Sequence, residues 1–366
     1  MPMVFLRHPL RAPARALLTA IVLAGAGACA GGPRPDPLAG ALGRVSDEIA
    51  ADTASDPLSR EIRAAAGPAL DRASAALHAG RRRLALFELA RAMPLIRARQ
   101  YVVSHRDAAR SLEALEAEWR RMDGLLAPAP GAGAPIPRIG ASLAGALAEA
   151  ALPQARIYYD ASLDYGRSNS PDAGLFYMGQ ALAQQALVAF ADSVDDRAAG
   201  RAPDFRSLAG ELDALESEIL STYRPPAAIE QHPRFIAAAS ALKEARELDA
   251  LGLRRGAMLR YLQGSLRAQP LAPSPPVFDG VATPVRLDAL EARLGRDGRD
   301  HDIARLFIEL ARADVEDTTT GAAHETAAAV AEVVLPRYLA ALEPAASPAP
   351  APEPVVTVTL VRWPYT

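Results

Sequence analysis

The chain has one cysteine, one lysine and few aromatic residues, and each scarcity closes off a class of explanation. A single thiol, Cys29, cannot form an intrachain disulfide, so the fold must rest on packing alone. Phe, Trp and Tyr make up 5% of the 366 residues while alanine and leucine dominate, a composition suited to closely packed helices. Thirty-nine of the forty basic residues are arginine, with Lys243 the exception, and the acidic residues number 43. No basic face of the kind nucleic acid requires is foreseen, so no nucleic-acid partner is expected. G-x-S-x-G, H-E-x-x-H and P-loop motifs are missing too, and with them the usual signs of hydrolase, zinc-protease and nucleotide chemistry.

What is present begins with a leader. Arg7, Arg11 and Arg15 precede thirteen small or apolar residues at 16–28, a charged region followed by an apolar stretch too short to span a bilayer. Ala26-Gly27-Ala28 lies directly before Cys29. This arrangement resembles the lipobox of bacterial lipoproteins, in which the leader is cut before a cysteine that then carries acyl chains; Ala26 stands where that family usually has leucine. The competing reading is secretory cleavage after Ala30, which discards Cys29. Lipidation implies a membrane-anchored protein, and Ala30 after the cysteine implies, by similarity to enterobacterial sorting, the outer membrane facing the periplasm. Without residues 1–28 the chain has 37 basic and 43 acidic residues, a net charge of −6.

Beyond the leader the apolar residues recur at spacings of three and four, so the expected fold is all-α. Residues 29–56 read as a tether with a short helix at 42–51, and 57–126 as an N-terminal helical subdomain. Residues 127–140, rich in Pro, Gly and Ala, read as a linker. Residues 141–342 read as a C-terminal helical repeat subdomain. Within it Ser170-Pro171-Asp172 supplies an N-cap, a first-turn proline and an acidic residue for a helix over 171–194. Phe205, Leu208, Leu212, Leu215 and Ile219 predict one further amphipathic helix, and 233–251, 256–268, 285–295, 302–314 and 322–342 predict the rest.

Two helix pairs align without a gap. Ala69-Leu70-x-x-Ala73, Gly80-x-Arg82-Arg83-x-Ala85-Leu86 and Leu89 match Ala241-Leu242-x-x-Ala245, Gly252-x-Arg254-Arg255-x-Ala257-Met258 and Tyr261. Gly298, Ala304, Ile308 and Ala311 follow the same order, and Gly166, Ala173 and Tyr177 more loosely. Small residues let two helices approach, and glycine permits the turn between them. The pattern resembles the tetratricopeptide repeat, whose steps of five, four and three are kept by Gly252, Ala257, Tyr261 and Gly264 and by Gly80, Ala85, Leu89 and Ala92. The first helices lack that family's aromatic and Leu-Gly positions, and a generic array of helical hairpins is the alternative. The resemblance implies antiparallel hairpins and a concave surface for a partner.

Five aromatics, Tyr158, Tyr159, Tyr165, Phe176 and Tyr177, fall within twenty residues. They predict either a hairpin core or an aromatic groove for a peptide, a glycan or a small hydrophobe. Ser240-Ala-Leu-Lys243 has the S-x-x-K spacing of penicillin-interacting enzymes but no accompanying Lys-Thr-Gly or Ser-Asp-Asn element. Asp297-Gly-Arg-Asp300-His301-Asp302 departs from a calcium loop and reads as a solvated turn. His78, His105, His232 and His324 stand isolated, so neither a metal nor a cofactor is expected. Residues 343–354 read as an extended Pro/Ala spacer. Residues 355–366 alternate in strand fashion and carry Trp363 and Tyr365, either docking on the helices, staying disordered or adding to a partner's sheet. The sequence thus predicts no enzyme but a lipid-anchored scaffold or assembly factor with a protein partner in the envelope. A ligand-binding lipoprotein using the 158–177 aromatics is the second reading.

Overall fold

In the computed structural model the described residues are 36–52, 54, 56–126, 139–194, 201–224, 229–296, 298–317 and 324–342. Cys29 and its leader, the 127–138 stretch, the Pro/Ala spacer and the tail with Trp363 and Tyr365 lie outside them. The described chain is all-α, with no strand among these residues. No described helix is long and apolar enough to cross a membrane.

Helix α1 (Pro37–Ala51) leads to the first hairpin, α2 (Pro57–His78) and α3 (Arg82–Ser104); a 3-10 turn and α4 (Leu112–Asp123) follow. The second hairpin is α5 (Ser142–Ser168) with α6 (Pro171–Ser193). An extended segment precedes α7 (Ala209–Thr222), and the third hairpin is α8 (His232–Ala250) with α9 (Arg254–Ala268). The chain closes with α10 (Ala282–Gly295), α11 (Asp302–Glu316) and α12 (Glu325–Ala329), which passes through a π-helical turn at Val330–Val334 into α13 (Leu335–Leu342). Local chemistry sets several boundaries: Asp56, Ser111 and Ser170 each accept a hydrogen bond from the backbone N–H three residues on, at 3.0, 3.1 and 3.2 Å.

The turn that the repeat predicts is built twice in the same way. Gly80 and Gly252 sit at φ +73° and +76°, in the left-handed region where a Cβ is strained. Arg81 N–H donates to Ala76 O at 2.7 Å, and Leu253 N–H to Leu248 O at 2.9 Å, closing a Schellman-type cap in both. Gly298 is the third glycine at positive φ among the described residues, at +68°. The looser copy does not extend to the turn: Gly166 lies inside α5, where it and Gly174 let the second hairpin close around Leu115.

The hairpins pack into one main core running from Leu38 to Ala341, with a second cluster around Leu115, Tyr159, Leu175 and Met178. Helices on either side of the 127–138 stretch share that packing. Gly179 of α6 meets the Ala98 backbone of α3 so closely that a Cβ there would stand 2.8 Å away.

The residues after the turn repeat a polar contact as well. Arg83 and the Leu84 N–H both reach the Glu309 carboxylate of α11, at 2.9 and 2.8 Å. At the equivalent positions Arg255 and the Gly256 N–H reach Glu149 of α5, at 2.7 and 2.9 Å. In both, an incoming glutamate satisfies an otherwise unpaired N–H of a helix's first turn and neutralises an arginine.

Two expectations are corrected. Phe205 and Leu208 precede α7 rather than belonging to it; they are buried from the extended segment, where the Leu208 N–H donates to Asp249. The 297–302 turn is not solvated at its centre, since Asp300 and His301 are only 0% and 1% exposed. Asp300 accepts from the Ser142 and Asp302 N–H groups at the starts of α5 and α11, and His301 Nδ1 lies 2.8 Å from the Tyr338 hydroxyl. Acidic side chains at helix starts face the positive end of the backbone dipoles, and that is what the charged turn serves.

Candidate functional site

The five clustered aromatics divide between two environments because a helix turns them to different sides. Tyr159 is 1% exposed. Its ring stacks on Trp119 at 4.9 Å, its hydroxyl donates to Trp119 O at 3.1 Å, and the Trp119 indole N–H donates to Tyr159 O at 3.2 Å. Burial, with Asp123 nearby, pushes its phenol up to about 12. The structure thus places Tyr159 inside the joint between α4 and α5 and outside any groove.

Tyr158, Tyr165, Phe176 and Tyr177 gather on the other side. Tyr177 stacks on Tyr165 at 4.0 Å and takes Tyr158 and Phe176 edge-on at 5.7 and 6.4 Å. Tyr165 is 42% exposed, whereas the other three are half-buried. Burial, then hydrogen bonding with Tyr165, pushes the Tyr177 phenol up to about 12.

Tyr158 connects this cluster to a groove of about 360 Å³ bounded by α2, α3, α5, α6 and α9. Its polar lining is Tyr158, Arg91, Arg260, Gln180 and Gln184. The space exists because alanines, among them Ala69, Ala90 and Ala150, occupy the helix faces turned toward it. Arg91 bonds to Glu88 at 3.1 Å, a nearly buried carboxylate that also accepts from Arg72 at 3.1 Å. Arg260 Nε lies 2.9 Å from Glu244, and its Nη1 donates to Gln263 at 2.9 Å. Burial raises the Tyr158 phenol, with Glu244 adding to the effect and Arg260 opposing it. Gln180 is 5% exposed, and among the described residues neither its amide nor that of Gln184 has a hydrogen-bond partner.

The arrangement is suited to binding: two guanidinium groups, two free amides and a phenol surround an apolar floor. Arg91, Arg260, Gln180 and Gln184 were not singled out in the sequence. The readable signal was Gln180 and Gln184 four residues apart in the largely apolar α6, hence on one face. The other candidates do not join them. Ser240 and Lys243 stand on the exposed side of α8, with Lys243 3.9 Å from Glu247. No group of three His, Cys, Asp or Glu side chains able to hold a metal ion occurs among the described residues. His105 stacks on Tyr101 at 4.0 Å, and His232 lies 2.7 Å from the Tyr223 hydroxyl. No protein-family model, curated protein or solved structure matches the chain.

Proposed function

We propose that the protein is a lipid-anchored α-helical repeat protein of the bacterial cell envelope, acting as an interaction scaffold or assembly factor. The observation that supports the scaffold role is the recurrence of one hairpin turn, at Gly80 and Gly252, with the same cap and the same incoming glutamate. Stacked hairpins of this kind offer a continuous surface to a protein partner. The tetratricopeptide-like steps add to it, because Ala85, Leu89, Ala92, Ala257 and Tyr261 are all buried. In this reading the protein is not an enzyme.

The anchor rests on the leader and on Cys29. Each buried acyl methylene contributes about 0.8 kcal/mol, so two or more chains hold a protein at a membrane nearly permanently. The assignment to the outer membrane, facing the periplasm, follows the residue after Cys29. The tail with Trp363 and Tyr365 is a second point of recruitment in this reading.

The test has two parts. A palmitate analogue is incorporated by the wild-type chain in cells, and Cys29→Ser abolishes both labelling and membrane retention; a labelled Cys29→Ser chain sinks the anchor. Photo-crosslinkers placed over the hairpin surfaces of the wild-type and 355–366-deleted chains recover a discrete protein partner. Failure of every surface position to do so sinks the scaffold.

A further inference from the structure

The groove bounded by α2, α3, α5, α6 and α9 holds more hydrogen-bonding capacity than its own residues consume. Arg72 and Arg91 share the single carboxylate of Glu88, and Arg260 has Glu244. Arg267, two turns beyond Arg260 on α9, donates to Ala237 O at 3.2 Å and has no carboxylate within ion-pairing distance among the described residues. Burial, and then the charges of Arg260 and Arg91, hold its pKa below the usual arginine value, with Glu244 opposing. Of these arginines Arg91 and Arg260 line the groove; Arg91 shares its carboxylate with Arg72, and the buried Arg260 Nε, although 2.9 Å from Glu244, makes no hydrogen bond. The guanidinium fork matches a pair of oxygens on a carboxylate or phosphate, bidentately and with opposite charge.

Gln180 supplies the second, independent observation. Gln180 is 5% exposed, and its amide opens on the groove, where no protein group hydrogen-bonds it. It lines the groove beside Gln184, and each offers two donors to whatever enters. The rest of the lining is apolar, with Leu147, Leu187 and Leu259 beside the alanine faces. At about 360 Å³ the space is that of one small molecule.

We infer that this groove binds a small amphiphilic anion, with a carboxylate or phosphate head held by Arg91, Arg260 and the Gln180 and Gln184 amides and an aliphatic body against the leucine and alanine wall. The ligand goes beyond the scaffold reading and does not depend on it. Neither lipidation of Cys29 nor recovery of a protein partner bears on whether the groove fills.

The test is calorimetric titration of the full chain with three ten-carbon probes below their micellar concentrations: decanoate, decyl phosphate and decyltrimethylammonium. At least one of the two anions is expected to saturate a single site, and the cation to bind at least tenfold more weakly. Tighter decanoate binding identifies a free carboxylate amphiphile as the class, and tighter decyl phosphate a phospholipid-like head. Arg260→Gln and Gln180→Met are each expected to weaken the anion at least tenfold. Gln180→Met should leave the melting temperature unchanged or higher, which a merely structural glutamine would not do. Gln184→Met carries the test should Arg260→Gln unfold the chain. Equal binding of cation and anion, no saturable binding of either anion, or anion binding indifferent to all three substitutions overturns the proposal.

Discussion

Glu149 and Arg255 meet at 2.7 Å across 106 residues of sequence, with side chains only 6% and 17% exposed. The Glu149 carboxylate also accepts the Gly256 N–H, so one side chain closes an ion pair and a helix start together. Arg255 packs so tightly against Gly145 that a Cβ there would stand 2.2 Å from its guanidinium. Removing one partner of such a pair strands the other charge away from water. Glu149→Ala should therefore cost about 3–5 kcal/mol of unfolding free energy in urea. Lys243→Ala, which removes an exposed pair, should change it by less than about 0.5 kcal/mol.

The turn glycines give a contrast of sign. A Cβ at Gly252 meets nothing within 4 Å, so the cost of alanine there is the left-handed backbone alone. Gly252→Ala and Gly80→Ala should each destabilise by about 1–2 kcal/mol. Gly43, inside α1 with nothing within 4 Å of its Cβ position, should respond the other way. Gly43→Ala should stabilise by about 0.5–1 kcal/mol. Thermal melts of the three variants decide the matter.

Tyr159 and Tyr165 separate core from surface within one aromatic cluster. Tyr159→Ala removes a buried ring and leaves the Trp119 indole face and carbonyl without their partner, which should cost about 3–5 kcal/mol. Tyr165→Ala should cost less than about 1 kcal/mol, because its ring stacks on Tyr177 while remaining open to water. Equal losses in chemical denaturation would contradict this division.

Asp249 makes the acid sensitivity of the third hairpin testable. Burial works to raise its pKa, but hydrogen bonds from Arg254, from the Ser207 hydroxyl and from the Leu208 N–H, with the Arg254 charge, outweigh it and hold the carboxyl below its ordinary value. The folded chain thus takes up this proton less readily than the unfolded one. The stabilisation is complete above the unfolded value of about 3.9 and is lost as pH falls through the folded value. Asp249→Asn should lower stability at pH 7 and show a smaller further loss between pH 5 and pH 3 than wild type, as followed by urea midpoints.

Much of the fold was legible because it rests on local chemistry. The Ser170-Pro171 start of α6 and the steps around Gly80 and Gly252 need only a helical period, a side-chain cap and a missing Cβ. The centre of the 297–302 turn was misread for the same reason. Charges in a loop look solvated unless the helix starts at Ser142 and Asp302 are known to converge on Asp300. The groove was only partly visible, since Tyr158 stood in an aromatic cluster whereas Arg91 and Arg260 look like ordinary surface arginines.

The sequence by itself determined the all-α character of the described chain, the capped starts of helices such as that at Ser170, and the three glycines that turn in the left-handed region. Those are consequences of backbone sterics and of spacing along one chain. Tertiary structure decided which arginine meets which glutamate, that Tyr159 faces inward while Tyr165 faces out, and that the alanines of α2, α3 and α5 leave a space instead of filling one. Such outcomes depend on how helices distant in sequence cross, and a periodic pattern along a single helix carries no record of the helix it will meet.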